Sequence, residues 1–396
     1  MRVFVTRVAL LFGALAAACS GDEPAPSSSD GDGGAAPELC ERVAALDSLA
    51  PASSYDYGWT CLGQVAPGGE PLSLTALDED DCTTGIWPDL DDTVSVCPTV
   101  SAAVRTDPVS GKELPSEDAR VLPIDIPVSE SGSFLPSNLP TSFPETLRVV
   151  SWNMEYTAHL DEQIAILTTR PELASADVYL LSEVDRCSSR NGKTRGARRL
   201  AEALGAAYVY GIEFVELEID RVAGGDTGQA ILSRRPLSSA ALTCHSNQSD
   251  WFATDDEPRL GERVFLHADI PVGDGFARVY AAHLESDDLF GEKRSAQAKE
   301  LLDVAQTLAC ERPQIVAGDF NAPYCGAPEL EVLRTSGFLD AVGLAGDKDP
   351  THQSGFRLDY VWARGFRVVR GGVLRDVTAS DHYPVWVDLE MDPNGA

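Results

Sequence analysis

The chain has 396 residues and a formal net charge of −31, from 31 Lys and Arg against 62 Asp and Glu. So acidic a balance opposes long-range attraction to polyanions, because tight non-specific nucleic-acid binding draws on many lysine and arginine contacts to phosphate. Net charge therefore makes a polyanion an unfavourable partner at long range.

In chain order, Arg2 and Arg7 flank an apolar run, Val8 to Ala18, that is too short to span a bilayer and has the charged-then-apolar layout of a secretory signal. Residues 1–18 are expected to be a signal peptide and the protein to be extracytoplasmic. The run closes on Leu15-Ala16-Ala17-Ala18-Cys19, which resembles a bacterial lipobox. That resemblance implies a lipid anchor at Cys19 and a cell-envelope membrane as partner; a plain signal cut near Ser20, giving a secreted protein, is the alternative. Ser20 to Pro37 consists of Ser, Gly, Asp, Pro and Ala apart from Glu23, so residues 19–38 form a tether without core-forming side chains.

Residues 39–146 are rich in Pro, Gly, Ser and Asp and hold Cys40, Cys61, Cys82 and Cys97. They read as a small, loop-rich, disulfide-braced module that carries no recognisable chemistry. Cys187, Cys244, Cys310 and Cys325 follow, so the cysteines beyond Cys19 are even in number and suit disulfides in an oxidising compartment, with pairing open. Three prolines between Leu135 and Pro144 make a stiff connector.

From 147 to 391 the pattern alternates strand and helix, as in a sandwich with helices outside. Strands are predicted over Arg148–Trp152, Val178–Leu181, Ala207–Tyr210, Ala230–Ser233, Arg263–Ile270, Ala277–Ala282, Ile315–Ala317, Tyr360–Ala363, Phe366–Leu374 and Val385–Leu389. Helices are predicted over Asp161–Leu167, Thr194–Leu204, Lys293–Leu308 and Ala327–Ser336. The window from Arg186 to Arg199 carries Arg186, Arg190, Lys193, Arg195, Arg198 and Arg199 with no acidic residue. It is either a local phosphate clamp or a solvated helix face.

Six hydrophobic runs end on polar groups: VVSWNMEY (149–156), LLSEVD (180–185), AAHLES (281–286), IVAGDFNA (315–322), RLDYVW (357–362) and SDHYPVWVDL (380–389). A lone carboxylate after a strand is usually a turn former or a cap. Together these residues form a chemical set. Glu183, Asp381 and the Asn153 amide are hard oxygen ligands that suit magnesium, manganese or calcium. Asp359 and His382 can pair to fix one imidazole tautomer, and Asp319 with Asn321 can orient a water. This is equipment for phosphoester hydrolysis.

The ordered set SWNME, SEVD, AHLE, GDFN, RLDY and SDH resembles the endonuclease/exonuclease/phosphatase superfamily. The resemblance implies a four-layered α/β sandwich of two mixed sheets with helices outside. It implies Glu183 as principal metal ligand, with Asn153, Glu155 and Asp381 around a Mg2+ ion. Asp319 would polarise the attacking water and Asn321 hold it or a phosphate oxygen, His382 oriented by Asp359 would contact the phosphate, and His283 would contact the phosphate or assist the leaving group. Glu155 stands where the family often has Asp. The TGQAILSR stretch (227–234) is similar to the phosphatase, sphingomyelinase and uncharacterised bacterial branches and lacks the acidic partner that deoxyribonuclease I-like members place nearby for their second histidine, which weakens a purely deoxyribonuclease reading. His159, His245, His267 and His352 match no motif and are expected to be surface or core residues. The expected activity is metal-dependent hydrolysis of a phosphodiester, in nucleic acid or another diester; lipid or inositol phosphomonoesters are the alternative, and an inactive surface-binding lipoprotein is the alternative of another class.

Overall fold

The computed structural model describes residues 129–392 apart from 187, 193, 217–225, 250, 252–258, 309–311 and 325. The expected signal segment, tether, Cys19 anchor and most of the cysteine-containing module lie outside the described residues. Of the nine cysteines only Cys244 is among them, and it is disulfide-bonded. Among the described residues no helix is long and apolar enough to cross a membrane.

The strands in chain order are β1 Ser129–Ser133, β2 Thr146–Asn153, β3 Val178–Arg186, β4 Ala207–Glu216, β5 Asp226–Ser233, β6 Ser238–Cys244, β7 Arg259–Gly261, β8 Val264–Val272, β9 Gly275–His283, β10 Gln314–Asp319, β11 Leu339–Asp340, β12 Asp359–Arg364, β13 Phe366–Val373 and β14 Val385–Met391. One sheet runs β1-β4-β5-β3-β2-β14-β13 with β7 also on β4; the other runs β11-β12-β10-β9-β8-β6. Every predicted strand lies within or overlaps one of these, and β1, β6, β7 and β11 are additional. The first sheet starts earlier than the boundary at 147, because β1 pairs antiparallel with β4.

Both faces of the central strands are buried, which is why they read as nearly continuous apolar runs. Val149, Leu180 and Ile231 of the first sheet meet Leu266, Val279, Ile315 and Val361 of the second in the core between the sheets. Their neighbours turn outward, as side chains alternate along a strand. Val150, Trp152 and Leu181 pack with Leu167 of α1 (Leu160–Thr169) and Leu200 of α2 (Gly196–Leu204). Tyr280, Val316 and Trp362 pack with Leu301 of α3 (Glu292–Leu308) and Leu330 of α4 (Pro328–Thr335). The result is the helix, sheet, sheet, helix layering of a four-layered sandwich.

Among its described residues the basic window forms neither a phosphate clamp nor mainly a solvated face. Arg186 and Arg195 are buried, and both reach Glu130 of β1, at 3.4 and 2.7 Å. Arg186 also pairs with buried Asp226 at 2.8 Å, and the Tyr208 hydroxyl donates to Glu130. Arg190 pairs with Asp185 and lies over the Tyr156 ring, while the half-buried Arg199 pairs with Asp161. The two arginines turn inward because two carboxylates distant in sequence compensate their burial.

Strand directions gather the polar ends. β2 and β3 are parallel, as are β9 and β10, so each pair presents its C-terminal end at the same edge. β12 and β14 run antiparallel to β10 and β2, so their first residues arrive there too. At this edge Gly318 has φ +149° and a Cβ placed on it would lie 1.8 Å from the Ala282 carbonyl oxygen. Only glycine permits that approach. We expect Gly318→Ala to cost about 3 kcal/mol or more, read as a lowered urea midpoint; unaltered stability would show that β9 and β10 tolerate separation here.

Candidate active site

Asp319 ends β10 and sits level with His283 of β9 on one side and Asp359 of β12 on the other. Its Oδ1 accepts the Asn321 backbone N–H at 2.8 Å, which leaves Oδ2 for the cleft. Oδ2 accepts from Asn153 Nδ2 at 3.2 Å and lies 3.5 Å from His382 Nε2 and 3.8 Å from His283 Nε2. One carboxylate oxygen thus faces two imidazoles.

Each imidazole has its own acid behind it. Asp359, fully buried, meets His382 Nδ1 at 2.8 Å. Burial would depress the His382 pKa, but the charges of Asp359 and Asp319 outweigh it and push it up to about 10, so the ring is an imidazolium at neutral pH. Burial also lifts Asp359, against the pull of His382. His283 Nδ1 lies 3.2 Å from Oε2 of Glu213, a buried residue of β4. Burial alone would raise the Glu213 pKa; His283 and the Arg263 guanidinium outweigh that and bring it to about 2. Sequence reading found no acidic partner for His283; the structure corrects this. Glu213 interrupts the apolar run Tyr208–Phe214, and a buried charge in such a run needs a partner.

Hydrogen bonds between side chains and backbone fix the dyads from outside. Trp152 Nε1 donates to the His382 carbonyl at 2.9 Å, and Ser380 Oγ donates to the Asn153 carbonyl at 2.8 Å. Gln163 of α1 donates to the Met154 and Ala379 carbonyls, joining the end of β2 to the approach to β14. Thr351 Oγ1 accepts the Leu358 and Asp359 amides.

The expected metal ligands lie around Asn153. The Glu155 amide donates to Asn153 Oδ1 at 3.1 Å, and the Asp381 amide donates to Glu155 Oε2 at 2.9 Å. Glu183 Oε1 lies 3.9 Å from His283 Nε2, at a bulge of β3 against β5. Glu183, Glu155 and Asp381 do not close into one tight group among the described residues; the close groups are Asp319, Asp359 and His382, and His352, Asp381 and His382. The donor set still fits a hard divalent cation, because carboxylate and amide oxygens are the donors such a cation takes; burial and the neighbouring Asp381 charge raise the Glu155 pKa. Of the six non-glycine residues with positive φ among the described residues, Glu155, Tyr156, Thr157, Glu183 and Asn321 fall at this edge. Such strain persists where the surroundings over-determine the backbone. His352, expected to be a surface or core residue, meets Asp381 at 3.2 Å and packs edge-on to His382.

A two-sheet sandwich with two acid-backed histidines around a shared carboxylate defines a class of phosphoester-cleaving protein. Residues 150–382 match the model of the endonuclease/exonuclease/phosphatase family, and the chain belongs to that family. It is accordingly a hydrolase of phosphoester bonds by family. Among solved structures, the human Nocturnin catalytic domain with bound sulfate is similar at 20% identity over 64% of this chain and 97% of that chain, with a TM-score of 0.50, a likeness of fold. An endonuclease/exonuclease/phosphatase from Beutenbergia cavernae is 23% identical over 62% of this chain and 72% of that chain, TM-score 0.47. Humanized D. rerio TDP2 is 17% identical over 62% and 100%, TM-score 0.46. No curated protein matches the sequence.

Behind the His283 dyad, the Glu262 amide donates to the Glu213 carbonyl, and the Glu262 side chain accepts from Gln248. Burial pushes the Glu262 pKa up to about 8. Raised above its unfolded value, this group contributes stability that is full below about pH 4 and lost as pH rises through 8. Glu262→Gln should therefore gain on the order of 2 kcal/mol over wild type between pH 5 and pH 9, measured by thermal unfolding. An equal offset at both pH values would count against a protonated Glu262.

Proposed function

We propose that this protein is an exported, magnesium-dependent phosphodiesterase, a nuclease or an enzyme of similar diester chemistry. The observation that carries the reading is the single Asp319 Oδ2 facing His283 and His382. Glu183, Glu155 and Asp381, with Asn153 beside them, would hold the cation, which supplies Lewis-acid stabilisation of a phosphoryl oxygen. Magnesium suits the oxygen donors, with manganese or calcium as substitutes.

Asp319 Oδ2 takes the proton of the attacking water, and Asn321 fixes the carboxylate by holding Oδ1. His382, kept protonated by Asp359, donates to a non-bridging oxygen as charge develops in the transition state. His283, backed by Glu213, protonates the leaving oxygen opposite the attack. The acidic surroundings favour a singly charged diester over a dianionic monoester, whose extra charge asks for extra cations. Phosphomonoesters of lipid or inositol type are the second reading.

The Arg2 to Cys19 segment supports export, and the lipobox-like ending supports a lipid anchor at Cys19 in the cell envelope. The substrate then lies outside the cytoplasm.

The test compares hydrolysis of single-stranded DNA, duplex DNA, a sphingomyelin analogue and an inositol phosphate, with and without magnesium. Diester cleavage should vanish on chelation, and Glu183→Gln and His382→Ala should each lower kcat by about 100- to 10,000-fold. Activity indifferent to the chelator, or parity of both variants with wild type, would overturn the mechanism. Faster turnover of the monoester would move the assignment to the second reading.

A further inference from the structure

His352 belongs to none of the six strand-end segments, yet it lies against two residues of the site. Its loop is laced to the SDH segment: the Gln353 amide donates to the Asp381 carbonyl at 2.9 Å, the Tyr383 amide to the Thr351 carbonyl at 2.7 Å, and Gln353 Nε2 to the Ser380 carbonyl at 3.1 Å. The Thr351 and His352 amides both donate to the Phe356 carbonyl, closing a tight turn. This backbone leaves the imidazole little freedom.

Its tautomer follows from one contact. The Ser354 backbone N–H donates to His352 Nδ1 at 2.9 Å, and an amide N–H can only donate. Nδ1 is therefore the unprotonated nitrogen, Nε2 carries the proton, and Nε2 points at Asp381 Oδ2 from 3.2 Å. The ring also stands edge-on to His382 with centroids 4.4 Å apart. A nitrogen committed as donor to the carboxylate is not itself a metal ligand in this arrangement, although His352, Asp381 and His382 lie close together.

We propose that His352 is a positioning residue: its Nε2–H holds Oδ2 of Asp381, so that the other carboxylate oxygen is presented to the divalent cation. The proposal rests on the metal-dependent reading given above. Hydrogen bonds of this kind orient a ligand before the cation arrives, and losing one typically weakens metal affinity by about 10- to 100-fold. Carrying its N–H at similar reach, glutamine at 352 restores the donor; alanine does not.

The experiment is calorimetric titration of Mn2+ into the purified full chain without substrate, for wild type, His352→Ala and His352→Gln, with thermal melts confirming that each is folded. His352→Ala should bind Mn2+ about 10- to 100-fold more weakly, while His352→Gln should stay close to wild type. Wild-type affinity in a folded His352→Ala variant would overturn the positioning role and leave the metal-dependent reading intact. Equal weakening of both variants would overturn the donor role in favour of simple packing. Wild type that takes up no Mn2+ would overturn the metal-dependent reading, and this proposal with it.

Discussion

The contact between Gly318 and the Ala282 carbonyl sets the geometry of the whole site. A side chain at 318 would push β9 and β10 apart, and the ladder that holds His283, Asp319 and Asp359 side by side would slip. Register in a two-faced strand is all or nothing, since a shift of one residue turns every side chain to the opposite face. The apolar alternation that fills the core between the sheets and the helix-covered outer faces therefore also fixes the level at which the polar ends meet. Packing and chemistry share one constraint here.

Much of this was legible in the chain itself. The strands stand out because both faces are apolar, and the polar termini stand out against them: Asn153 after Trp152, His283 after Ala282, Asp319 after Gly318. The Asp359 and His382 pair was read from residue type and order, and it forms. What escaped depends on contacts between distant segments. Glu213 and His283 are 70 positions apart, and their pairing needs the register of β4 in one sheet and of β9 in the other. Counting charge in the Arg186 to Arg199 window could not anticipate Glu130 and Asp226, which lie 56 and 40 positions from Arg186. His352 sits in a turn with no periodicity, so only its backbone contacts reveal its place. The suggested metal ligands came from residue type and from the family resemblance; the hydrogen bonds that link Asn153, Glu155 and Asp381 appear only in the fold.

Buried ion pairs account for how so acidic a chain forms a compact fold. Glu130, Glu213, Asp226 and Asp359 are all buried, and each faces an arginine or a histidine. Buried pairs contribute little net stability once desolvation is counted, but breaking one leaves an uncompensated charge. Their role is to choose one arrangement among many. In the Arg186 and Arg195 cluster that choice fixes the start of α2 and the end of β3; in the histidine dyads it fixes ring orientation.

Glu130 gives β1 a significance beyond one more edge strand. A fragment trimmed to begin at Leu147, where the alternating pattern starts, would keep every residue of the catalytic edge and lose the only described carboxylate that both Arg186 and Arg195 reach. Arg186 would keep Asp226, but the carboxylate that both guanidinium groups share would be gone from a sheet missing its rim. The smallest autonomous unit of this hydrolase must accordingly begin no later than β1 at Ser129, and that strand, lying ahead of all the motifs, is part of the machine's frame.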